Sequence, residues 1–125
     1  MRNRRAFTLV EVLIAIVILG ILSALAVPRV ADSRERAYIA VMRMDLRNLA
    51  TAQEGYYAEY FGYTADLAQL GNFLFSPGVT LQGPIAASPT GWSATARHAG
   101  TSATCSVGVG TGVLPGYSDG QVHCP

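Results

Sequence analysis

One carboxylate stands where carboxylates are costly. Glu11 lies inside FTLVEVLIAIVILGILSALAV, a run of 21 residues from Phe7 to Val27 whose only other polar side chains are Thr8 and Ser23. A charged side chain at the bilayer centre costs roughly 2.5–3.5 kcal/mol on insertion scales, and less near the edge. Such a group calls for a partner, and one stands four residues earlier. If the basic leader Met1–Ala6 is removed, the new amine on Phe7 and the Glu11 carboxylate stand at i and i+4 of one helix face. When such helices pack side by side, Glu11 of one meets the Phe7 amine of another. In low dielectric that pairing is strongly preferred over an unpaired charge. It would set axial register, as a buried polar residue does in a coiled coil.

Cys105 and Cys124 are the other pair able to react. An even cysteine count in an exported chain favours a disulfide. Closing that loop contributes about 3 kcal/mol by chain entropy. If the domain stays in the cytoplasm, two buried free thiols are the alternative. The paired CxxC spacing of a zinc site is missing. His98 and His123 stand in no ligand-spaced cluster and read as strand or surface residues. No GxSxG, P-loop, HExxH or EF-hand pattern occurs, so no enzyme, metal site or cofactor is expected. Asp119 alone falls short of the six to eight oxygens that calcium takes. Gly108 to Gly112 reads as a strand end and turn. Tyr56, Tyr57, Tyr60, Phe61 and Tyr63 read as core and interface packing. Arg43 and Arg47, one helical turn apart, read as a solvated face, with DNA or a neighbouring subunit's acids as the sharper alternative.

These groups must be positioned by an anchor and a small domain. The chain has 125 residues, 50% hydrophobic and 14% charged, against about a quarter charged in an average soluble chain. The apolar excess sits in the N-terminal block. As a helix that block would rise about 31 Å, enough to cross a bilayer core. Arg2, Arg4 and Arg5 before it place the N-terminus in the cytoplasm by the positive-inside tendency, and the remainder outside. Without the leader, six basic face eight acidic side chains, a sum of −2, which gives no argument for nucleic acid as a partner. Two other readings of the block compete. Ala24-Leu25-Ala26 resembles a signal-peptidase site, but the apolar region is longer than the usual 7–15 residues and carries a carboxylate. A plain uncleaved anchor leaves Glu11 without a role.

Pro28 lacks an N–H and ends or kinks a helix. The helical pattern beyond it argues for a kink. Ile39, Met42, Leu46, Leu49, Tyr56 and Tyr60 recur at helical spacing, with charges such as Asp32, Arg36, Asp45 and Arg47 expected largely on other faces. One long helix over about 7–61 is therefore expected, stopped by Gly62, with Thr64 capping a brief helical turn over 65–70. Val79–Gln82, Gly91–His98 and Thr104–Val109 alternate as half-buried strands, with a hairpin turn over Ala99–Ala103. The expected fold is α+β: a long N-terminal helix packed on an antiparallel sheet of three to four strands, closed by a Gly-rich loop over 110–125.

The segment RRAFTLVEVLIAIVILGILSALAVP resembles the prepilin N-terminus of type IV pilins and type II secretion pseudopilins. The match covers about residues 4–28. It includes the basic leader, a small residue before the cut, Phe at the new terminus, the FTLxE start and an apolar helix ending near Pro28. The resemblance implies cleavage between Ala6 and Phe7 by a prepilin peptidase, methylation of the Phe7 amine, and Glu11 as the register carboxylate. The family usually carries Gly before the cut, where this chain has Ala6. A disulfide-closed C-terminal loop is similar to that of many type IV pilins and less usual in pseudopilins. The resemblance also implies a division into leader (1–6), membrane and filament-core helix (7–28) and globular domain (29–125). Its implied setting is an inner-membrane precursor that passes through an assembly platform into a homopolymer or a filament with related pilins, outside the cell or in the periplasm. A membrane-anchored binding module that never polymerises is the rival from another class.

Overall fold

The computed structural model describes residues 6–125, so the arginines at positions 2, 4 and 5 lie outside the described residues. The element order is α1 (Leu9–Tyr60), a 3₁₀ turn (Leu67–Gln69), β1 (Val79–Leu81), β2 (Ala86–Ser88), β3 (Gly91–His98) and β4 (Thr104–Gly110). This is the expected α+β architecture. The chain divides into two compact units, one ending at Arg34 and one running from Glu35 to Pro125.

In the second unit, Met42, Leu46 and Leu49 recur at spacings of four and three and are fully buried, one stripe of a helix. They meet Trp92, Ala94 and Ala96 of β3 and Cys105 and Val107 of β4, alternate residues that share one face of the pleat. β3 is the central strand. β4 pairs antiparallel along one of its edges, from Gly91↔Gly110 to Arg97↔Thr104. β1 and β2 share the other edge: Val79–Leu81 pairs with Ala96–His98, and Ala86–Ser88 with Gly91–Ser93. The two behave as one strand broken at Gly83-Pro84, where Gly83 takes φ 92°, open to glycine without a Cβ penalty. Three strands follow the alternation in the sequence; β2, in PIAAS, has no alternation to announce it.

Several expectations need correction. Asp45 is not on an outer face. It is 3% exposed, and its two oxygens accept from the Ser76 backbone N–H and hydroxyl, both at 2.8 Å. A buried carboxylate without such donors would be strongly destabilising. Gln53 is likewise buried. Its side-chain amide donates to the Thr64 carbonyl (2.6 Å) and accepts from the Thr64 N–H (3.1 Å), pinning the loop after the helix. Thr64 does not cap the 3₁₀ turn; Asp66 does, accepting from the Ala68 N–H, and the turn covers three residues rather than six. Tyr60 stays 60% exposed, stacked on Tyr56, so it is not part of the core stripe. The helix ends at Tyr60, two residues before Gly62. Phe61 takes the left-handed φ of 55° itself, with its N–H on the Tyr57 carbonyl. Tyr63 stacks on Tyr57 and donates to Glu54 at 3.0 Å. Desolvation, reinforced by that carboxylate, pushes its phenol up to about 12, so it stays a donor.

The chain after β4 returns tightly over the sheet. A Cβ on Gly112 would lie 2.2 Å from the Trp92 carbonyl oxygen, and one on Gly108 2.0 Å from the Gly112 carbonyl oxygen. Only glycine permits that approach. Ser106 then pairs with His123, and Cys105 is joined to Cys124. The disulfide holds the C-terminal loop to the sheet as the exported-chain reading expected.

Candidate assembly site

The expected assembly residues occupy the first turn of α1 and what precedes it. Ala6 and Phe7 are exposed, Phe7 at 85%, and both lie before the helix. Thr8 and Glu11 form a reciprocal cap. The Thr8 N–H and hydroxyl donate to Glu11 Oε2 at 3.0 and 3.2 Å, and the Glu11 N–H donates back to Thr8 Oγ1 at 3.2 Å. This is a capping box, and a carboxylate there also suits the positive end of the helix dipole. The Thr-x-x-Glu pattern that signals this cap stands in the sequence at Thr8 and Glu11. Because the helix begins at Leu9, Phe7 is not on a helical face with Glu11 in this form of the chain. Both bonds from Thr8 land on Oε2; among the described residues none donates to Oε1.

Beyond this cap the helix presents apolar side chains on every side. Leu9, Leu13, Val17, Ile21, Leu25 and their neighbours are each roughly half or more exposed, and no residue of the most apolar window is buried within the chain. That window has a mean hydropathy of 2.8, long and apolar enough to cross a membrane. A helix that is hydrophobic all round is buried in lipid or among other helices. Pro28 lies inside α1, which continues through it.

The other sequence candidates lie elsewhere, in the second unit. His98 stacks on Tyr38 at 4.2 Å, and its Nδ1 accepts from the Gly100 N–H. His123 shares a 2.8 Å hydrogen bond with the Tyr117 hydroxyl. Asp119 accepts from the Gly110 N–H, which is a loop-fixing role. Among the described residues, no cluster of His, Cys, Asp or Glu is arranged to hold a metal.

Residues 1–27 match the family model of the prokaryotic N-terminal methylation motif. The chain is 39% identical over 62 residues to the type II secretion system core protein G of Pseudomonas aeruginosa, a match covering 50% of this chain and 44% of that protein. It is 39% identical over 70 residues to the type IV wide pilus major component PilA4 of Thermus thermophilus (56% of this chain, 53% of the relative). It is 33% identical over 69 residues to the type IV major pilin protein PilA of Myxococcus xanthus (55% and 31%). The matches thus span about half or less of each relative's length. The N-terminal segment thus carries the prokaryotic N-terminal methylation motif and is similar to that of type IV pilins and of a type II secretion core protein.

Proposed function

We propose that this protein is a structural, non-enzymatic subunit of a type IV pilus or a pilus-like filament. The observation that carries the reading is a membrane-length helix, apolar on all sides, with one carboxylate in its first turn. In this reading the leader 1–6 is removed between Ala6 and Phe7 on the cytoplasmic face of the inner membrane, and the Phe7 amine is methylated by the prepilin peptidase. Residues 7–28 stay in the membrane while the domain from 29 onward lies outside. An assembly platform then draws the helix into the filament.

Glu11 has two tasks in this mechanism. Through Oε2 it caps its own helix at Thr8. Through Oε1 it accepts the Phe7 amine of a neighbouring subunit, which removes two unpaired charges from the apolar core at once. A shift of register would leave both unpaired, so the pair fixes axial position. Pro28 provides a place where the helix bends without loss of a bond that its missing N–H could not make.

A secretion pseudopilus is the second reading, favoured by the likeness to the Pseudomonas core protein G. The disulfide at Cys105–Cys124 favours the pilus. The test is Glu11→Ala in cells making the full chain. Filament incorporation falls to background while the membrane level of processed subunit is unchanged. Normal incorporation of Glu11→Ala removes the register role, and a wild-type chain that never sediments as fibres favours an anchored binding module.

A further inference from the structure

The acids and arginines of the second unit avoid one another. Asp45 is taken by Ser76, Glu54 by Tyr63, Glu35 by Thr101, Asp66 by Ala68 and Asp119 by Gly110, all neutral donors. No ion pair forms among the described residues. Arg43 and Arg47 are exposed on α1 and line a polar groove of about 430 Å³ with Gly120, Gln121 and His123 of the disulfide-held loop. Two arginines, one helical turn apart, thus share a groove whose lining residues include no Asp or Glu. Glu59, also exposed, is the one acid of this unit not engaged by a hydrogen bond or ion pair among the described residues. It lines a separate groove with Gly55, Tyr60, Gln69 and Gly71.

The two grooves flank the same helix on different sides. At 100° per residue, Glu59 lies about 120–160° around the axis from Arg47 and Arg43, and about 18–24 Å further along it. Because the two patches lie on different sides of the helix, a single partner does not engage both at once. They make a head-to-tail contact that propagates from copy to copy. We propose that the Arg43–Arg47 groove receives Glu59 of a second copy of this chain, so that the domain itself supplies a heterologous contact between neighbouring subunits. Bidentate pairing suits a guanidinium facing one carboxylate. Two arginines on a chain with an acidic balance after leader removal make a poor footprint for a polyanion. The inference rests on the filament reading in needing copies held side by side, and it adds a charged contact outside the apolar helix.

The test uses full-length chain in native membranes. Both native cysteines are joined to each other, so Gln121→Cys combined with Tyr60→Cys, one position lining each groove, introduces the reactive thiols and leaves Arg43, Arg47 and Glu59 in place. A short bis-maleimide is expected to give a ladder of dimers, trimers and higher species with the double variant, and monomer with either single variant. Adding Arg43→Glu to the pair lowers the ladder by about tenfold. Protection of Cys105 and Cys124 from maleimide reports that each variant is folded. Absence of the ladder in folded double variant overturns the proposal, as does dimerisation of Gln121→Cys alone, which would mean a symmetric contact. Duplex DNA retained by wild type and lost in Arg43→Gln/Arg47→Gln, with no ladder, overturns it in favour of a nucleic-acid occupant. Fibres without a ladder discard this contact and keep the filament; a ladder in membranes that yield no fibres keeps the contact and discards the filament.

Discussion

Leu13 and Leu46 are the same residue type in the same helix, yet Leu13 is 47% exposed and Leu46 is fully buried. The contrast holds for the two units as wholes. Among the described residues up to Arg34, large apolar side chains are exposed; from Glu35 on, many of them converge on Trp92 and the sheet. Burial of apolar surface is the main favourable term in both folding and association. The first unit offers that term to lipid or to other molecules, and the second consumes it internally. Mutations in the two regions should therefore report on different processes.

The largest expected effect is in the second unit. Trp92→Ala, at a fully buried site, is expected to cost about 3–5 kcal/mol, read as a lowered unfolding midpoint of the detergent-solubilised chain. A loss under about 1 kcal/mol would show that the domain core is not where its stability lies. Asp45→Ala removes the acceptor for both Ser76 donors and is expected to cost about 2–3 kcal/mol, measured in the same way. Recovery of most of that loss by Asp45→Asn would locate the effect in the hydrogen bonds rather than in charge. The smallest effect on domain stability belongs to the first unit. Ile16→Ala, half exposed in the chain, should leave the domain midpoint within about 0.5 kcal/mol yet reduce the fraction of subunit recovered in sedimented filaments. A large drop in the midpoint would mean that the apolar helix does packing work inside its own chain.

The sequence carried the first unit more fully than the second for the same physical reason. A membrane-length apolar helix is written in consecutive residues: the apolar run and the lone carboxylate need no distant partner to be read. The stripe of Met42, Leu46 and Leu49 and the alternation of Trp92, Ala94 and Ala96 are also local periodicities. What stayed hidden depends on pairing. Asp45 looks like any surface acid until Ser76, 31 residues away, is brought to it. Gln53 needs Thr64. β2 owes its strand form to β3 rather than to its own residues. Gly62 was the natural helix stop by composition, yet the core contacts of α1 and the Gln53–Thr64 clamp accompany an end one residue earlier, with Phe61 in the left-handed region. The capping box was legible as the Thr-x-x-Glu pattern of Thr8 and Glu11.

The filament reading depends on the cut before Phe7, because only cleavage there creates the amine that Glu11 is to meet. The most direct measurement is the N-terminal mass of the mature protein isolated from membranes. A chain beginning at methylated Phe7 is the expected result. A chain beginning at Val27, after the Ala24-Leu25-Ala26 site, would contradict it and make the apolar segment a discarded signal peptide.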